Sequence, residues 1–203
     1  MNLKEIQDLH QNKQKQSRNQ DILDVFIWPN SVLSCIAKIV PLDGIENRRE
    51  FAKQLLITMQ YYNGLGLAAP QVGINERIIA VTITNESPIV MFNPKILEFS
   101  QAKETVEEGC LSFPNILLQI QRYKEIKVSY YNQFGQLETR MFQDLNAKVI
   151  QHEIEHLNGT TFLSHLSRIK RDIIVRKFKK QARILKKLSI IYRKQRHEVT
   201  EKE

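Results

Sequence analysis

The sequence contains no apolar run near the roughly 18 residues that a membrane-spanning helix requires, so no span is expected. Cysteine is scarce: Cys35 and Cys110 are the only two in 203 residues. One disulfide is arithmetically possible, but a cytosolic chain of this size has little need of it, and a metal-binding or catalytic role for one thiol becomes the better question. The first twenty residues, MNLKEIQDLHQNKQKQSRNQ, lack the apolar core of a secretory signal. Glu5 and Asp8 argue against an acid-poor transit peptide. A cytoplasmic location is expected. There is no internal repeat. What remains, 42% apolar and 26% charged residues, is the composition of an ordinary globular protein with one main core.

Charge is unevenly placed. Residues 164–203 hold 14 Lys/Arg against 4 Asp/Glu, whereas the preceding 163 residues hold 16 against 18. A nearly neutral body with a strongly basic tail implies an anionic partner for the tail.

Residues 1–20 are polar and read as a disordered or mobile segment. Trp28-Pro29-Asn30 marks a turn. Phe51, Leu55 and Met59 recur every four residues and predict a helix over about 45–62, stopped near Asn63 and Gly64. Strand-like runs follow at 77–84, 89–97, 116–122, 125–131 and 137–142. A helix fits about 144–157, closed by Gly159, and a long one fits about 165–193. A helix, several strands and then helices make an α+β protein.

The chemistry concentrates in Gln151-His152-Glu153-Ile154-Glu155-His156. Two histidines at i and i+4 lie one turn apart on one helix face, where both imidazoles reach a single ion. A glutamate directly after the first histidine stands close enough to take a proton from an activated water. The segment reads both as HExxH, with Glu153 as the base, and as the inverted HxxEH, with Glu155 as the base. Leu145, Val149, His152 and His156 are expected to share one core-facing stripe. A metzincin pattern is interrupted by Phe162, which stands where its third histidine belongs. The best third ligand is Cys110 in Glu107-Glu108-Gly109-Cys110-Leu111-Ser112, because a thiolate with two imidazoles leaves one coordination position open.

Three segments together resemble the peptide deformylase family: Gly64-Leu65-Gly66-Leu67-Ala68-Ala69-Pro70-Gln71, Glu108 to Ser112, and Gln151 to Gly159. Their order and spacing agree with it as well. The resemblance implies small antiparallel sheets around a central metal-binding helix, and removal of the N-terminal formyl group from formyl-methionine of nascent polypeptides. It implies metal ligation by Cys110, His152 and His156, with Glu153 as general base. It implies that Gln71 and the Leu111 backbone N–H stabilise an oxyanion, and that Gly66 lets the substrate backbone approach. Leu65 and Val149 would line a pocket for the methionine side chain. The implied cofactor is one divalent ion, Fe2+ in the family, with Zn2+, Ni2+ or Co2+ also suiting the donors. The implied domains are a catalytic domain over 21–170 and a basic C-terminal helix and tail over 171–203, which would contact the ribosome near the exit tunnel. A monomer is expected.

One position departs from the pattern. Relatives usually carry aspartate where this chain has Glu155, an acid that would orient the site with Arg122 as its partner. Two rival readings use the same residues. One is a zinc peptidase built on HEIEH, for which no third ligand is evident downstream. The other is a deformylase-like protein that binds the ribosome with weak or no activity, at which only Glu155 hints.

Overall fold

A computed structural model describes residues 21–180. The expectations for residues 1–20 and for the helix beyond 180 lie outside the described residues. The chain divides into two compact units, Met1–Phe162 and Leu163–Glu203.

In the first unit, short 3-10 turns lead into helix α1 (Arg49–Tyr61). Seven strands follow: β1 (Gly66–Ala68), β2 (Ile78–Val81), β3 (Ile89–Phe99), β4 (Lys103–Cys110), β5 (Phe113–Tyr123), β6 (Glu125–Tyr131) and β7 (Leu137–Gln143). Helix α2 (Asp144–Leu157) completes the unit. Strands β1-β2-β3-β6-β7 form an antiparallel five-stranded sheet in that order, and β4 and β5 form a separate two-stranded hairpin.

The period-2 alternation of side chains explains why β2 is apolar at every position. Ile79 and Val81 join Ile126, Val128 and Phe142 beneath Ala147, Ile150, Ile154 and Leu157 of α2. Ile78 and Ala80 face the other way, onto Ala52, Leu55 and Met59 of α1. The sheet is thus covered by one helix on each face. Full burial of a side chain such as Leu55 or Met59, both at 0% exposure, contributes about 1.5–3 kcal/mol. Asn63, at φ 53°, takes the left-handed turn that ends α1.

Four expectations need correction. Strands β1 and β4 have no counterpart among the expected runs, and β5 begins at Phe113 rather than 116. The stripe drawn through Leu145 and Val149 is also displaced. Leu145 is 48% exposed, and Val149 is half-buried against the edge of the core that Ala147, Ile150, Ile154 and Leu157 form with the sheet. The two histidines sit on the adjoining flank of α2, which faces the β4–β5 hairpin. In the second unit, residues 168–180 are helical after a 3-10 turn at Phe162–His165, so the helix starts three residues later than expected. Among the described residues no helix is long and apolar enough to cross a membrane.

Candidate metal centre

Strand β4 sends alternate residues toward α2, and its half-buried face carries Glu104, Val106, Glu108 and Cys110. Helix α2 answers at four-residue intervals with Lys148, His152 and His156. The contacts form three rungs: Lys148 Nζ to Glu104 Oε2 at 3.0 Å, His152 Nδ1 to Glu108 Oε2 at 3.0 Å, and His156 Nε2 to Cys110 Sγ at 3.2 Å. The end of α2 is pinned as well. The Leu157 carbonyl accepts hydrogen bonds from the Ala37 N–H and from Arg77 Nη1, which fixes the turn that carries His156.

Ligand atoms of Cys110, His152 and His156 lie within 4.8 Å of one another. The arrangement fits a metal ion. Glu108 engages Nδ1 of His152, which leaves Nε2 as the donor directed at the centre. Burial, then the charges of His152 and Arg122, push His156 well below the usual histidine range, so its imidazole stays neutral with a free lone pair. Burial would lower His152 too, but hydrogen bonds to Cys110 and Glu108 outweigh it and raise this histidine well above its ordinary value.

Behind the centre lies a buried ion-pair network. Arg122, 2% exposed, donates from Nε to Glu108 Oε1 at 2.7 Å and from Nη2 to Glu108 Oε2 at 2.9 Å. It also grips Glu155 with two hydrogen bonds, one from Nη1 and one from Nη2, the latter at 3.0 Å. Such forked pairing is the strong form of an Arg–carboxylate contact. Burial alone would raise Glu108, but Arg122 and His152 bring it down to about 2, so it stays ionised. The longer side chain at Glu155 reaches Arg122 with both oxygens.

Glu153 is buried, and burial pushes its carboxyl up to about 7; Oε2 has no partner among the described residues. Gly66 explains how it fits: a Cβ there would stand 2.4 Å from Glu153 Oε1 and 2.7 Å from Cγ. At Gly64 a Cβ would come within 3.1 Å of Leu111 Cδ1. The glycines of one motif thus make room for side chains of the other two. Gln71, the last residue of the first motif, reaches the second, with Nε2 3.5 Å from Cys110 Sγ. Leu111 occupies the β4–β5 turn, and Leu65 is 47% exposed just before β1.

Sequence reasoning gave no role to Glu108 or Ser112. Glu108 was within reach, because a residue two before a strand ligand shares its face. Phe162, considered only as an interruption of a motif, packs edge-on against His152 with ring centroids 5.8 Å apart at 77°.

One sulfur and two imidazole donors beside a buried carboxyl balanced near neutrality are the parts of a mononuclear metallohydrolase. Comparison with known proteins sharpens that class. The family model for polypeptide deformylase matches residues 22–172. The chain is 38% identical over 162 residues to the peptide deformylase of Bartonella tribocorum, covering 76% of this chain and 90% of that one. It is 41% identical over 142 residues to that of Thermotoga maritima, covering 70% and 86%. The crystal structure of peptide deformylase from Ehrlichia chaffeensis matches with a TM-score of 0.74 at 35% identity, over 80% of this chain and 98% of that one. The chain belongs to the polypeptide deformylase family. It is a metal-dependent hydrolase that removes the N-terminal formyl group from formyl-methionine of nascent polypeptides.

Proposed function

We propose that deformylation proceeds at the centre formed by Cys110, His152 and His156, with Glu153 as general acid–base and Gln71 and Leu111 as oxyanion donors. The convergence of those three donors within 4.8 Å carries this reading. When bound there, a divalent ion supplies Lewis acidity toward water and the formyl oxygen. Glu153, balanced near pH 7 by its burial, takes the proton of the attacking water and delivers it to the departing amine. The Gln71 side-chain N–H and the Leu111 backbone N–H donate to the oxygen that becomes negative as water adds. Cleavage of the C–N bond yields formate and a free α-amino group. Glu108, held by Arg122, keeps His152 in the tautomer that ligates through Nε2. Gly66 also leaves the substrate backbone room to approach, and Leu65 and Val149 line the methionine pocket. The ion is Fe2+, with Zn2+, Ni2+ and Co2+ accommodated by the same mixed donors. Formate release from a formyl-Met peptide under oxygen-free conditions tests the assignment. Cleavage of an unformylated internal peptide bond instead would transfer the site to the peptidases.

Gly66→Ala places a methyl group where Glu153 now lies, so the carboxylate must shift while the metal donors stay in place. The expected result is a fall in kcat of about 100-fold, the scale on which small misplacements act. Metal content per chain should be unchanged. Full activity in this variant would show that Glu153 does not need its present position.

The basic C-terminal segment is the proposed ribosome contact, through ribosomal RNA or protein near the exit tunnel, and it fits a cytoplasmic monomer. Its excess of 14 Lys/Arg over 4 Asp/Glu in residues 164–203 supports this, as do the exposed Arg168, Lys170, Arg171, Arg176, Lys177, Lys179 and Lys180. Cosedimentation with ribosomes should weaken steeply as salt rises and vanish when 171–203 are removed. Binding that survives the truncation would refute the contact.

A further inference from the structure

Ser112 is fully buried and has two separable attachments. Its backbone carbonyl accepts a hydrogen bond from the Trp28 N–H at 3.0 Å, which ties down the β4–β5 turn. Its hydroxyl faces elsewhere and lies 3.2 Å from Gln71 Nε2. Gln71, 1% exposed, is held at its other end by the Ala68 N–H, which donates to Oε1 at 2.8 Å.

We propose that the Ser112 hydroxyl is a positioning residue that aims the Gln71 amide at the reacting formyl oxygen, an inference that rests on the deformylase reading above. A primary amide has one accepting end and one end with two N–H donors. The Ala68 N–H engages the accepting end, so the nitrogen must point to the metal centre. A reversed amide would set donor against donor at Ala68 and acceptor against sulfur at Cys110. That contact fixes which end faces inward, but it leaves the amide plane free to swing about the Ala68 hydrogen bond. Ser112 removes this freedom. It accepts one of the two N–H groups, and the second is directed to Cys110 Sγ, to which Nε2 donates a long hydrogen bond at 3.5 Å on the metal-centre side. A donor aligned before the reaction costs no reorganisation when charge develops on the substrate oxygen, and this alignment is what makes such donors effective. In Ser112→Ala the backbone anchor to Trp28 remains, so the turn keeps its place while Gln71 loses its aim.

The test is a double-mutant cycle on the full-length, metal-loaded enzyme, with kcat and KM measured on a formyl-Met peptide. Ser112→Ala is expected to lower kcat about 10-fold with KM within about 2-fold, less than the loss from deleting an oxyanion donor outright. In a Gln71→Ala background the same change should alter kcat by less than about 2-fold, because the group through which Ser112 acts is gone. Ser112→Thr, which keeps the accepting oxygen, should restore most of the rate. A second readout does not depend on turnover. The side-chain amide resonances of Gln71 in 15N-labelled zinc-loaded protein, identified by their loss in Gln71→Ala, should shift in Ser112→Ala and stay close to wild type in Ser112→Thr. Equal rate losses in both backgrounds, or Gln71 resonances unmoved by Ser112→Ala, would overturn the proposal. A wild-type protein that released no formate would instead overturn the deformylase reading, and the amide resonances would still decide whether Ser112 holds Gln71.

Discussion

Glu153→Gln will lower kcat by about 10²–10⁴-fold, the usual contribution of a general acid–base, with KM and bound metal nearly unchanged. Glutamine has the shape of the wild-type side chain, so it keeps the space left by Gly66 and removes only the transferable proton. The stability effect runs the other way. Burial raises the Glu153 carboxyl from an ordinary 4.5 to about 7. A raised carboxyl favours the folded state fully below pH 4.5, and this contribution is lost as pH rises toward and through 7. Above pH 7 the metal-free wild type must bury a charge that the glutamine variant lacks. Denaturant unfolding of the two metal-free proteins at pH 8 should therefore show the variant more stable, by up to about 3 kcal/mol. Equal activity in the two proteins would remove Glu153 from the mechanism.

Arg122→Met is expected to have the largest structural effect. The guanidinium pairs with Glu108 and Glu155 together, at 2% exposure. Removing it takes from both carboxylates the cation they share and leaves His152 as the basic partner of Glu108, a loss of about 3–5 kcal/mol for a broken buried pair. Glu108 would rise from its present value of about 2 and release His152 from its fixed orientation. Metal affinity should then fall about 10–100-fold. Thermal unfolding and competition with a chelator measure the two losses separately. A variant that unfolds like wild type and holds its metal as tightly would show that the network is dispensable.

The regular elements were legible wherever a periodicity was strong. Helix α2 lies at Asp144–Leu157 and β6 at Glu125–Tyr131, where the 3.6- and 2-residue patterns place them. Strand β4 was not legible for a physical reason. In Lys-Glu-Thr-Val-Glu-Glu-Gly-Cys the inward face carries Glu104, Glu108 and Cys110, because that face meets charged and metal-binding groups rather than a greasy core. An apolar alternation is the wrong signal for such a strand. Strand β1 is three residues long, too short for any pattern.

At the site, the donors Cys110, His152 and His156 were legible from residue type and spacing, with the resemblance to a family joining the distant cysteine to the helix. The stripe through Leu145 failed because α2 is buried on more than one flank near its C-terminal end, so an apolar residue at its exposed start said little about which side faces the centre. Gly66 was expected to admit the substrate backbone; a side chain there would run into Glu153, 87 positions away, a relation that no local pattern reports. Ser112 is hidden for the same reason, since its hydroxyl gains meaning only from Gln71 on another turn.

X-ray absorption at the metal edge of zinc-loaded protein tests the central claim most directly. One sulfur neighbour is expected at about 2.3 Å and two imidazole nitrogens at about 2.0–2.1 Å, with the sulfur shell lost in Cys110→Ala. A spectrum with no sulfur at the ion, or one that Cys110→Ala leaves unaltered, would contradict it.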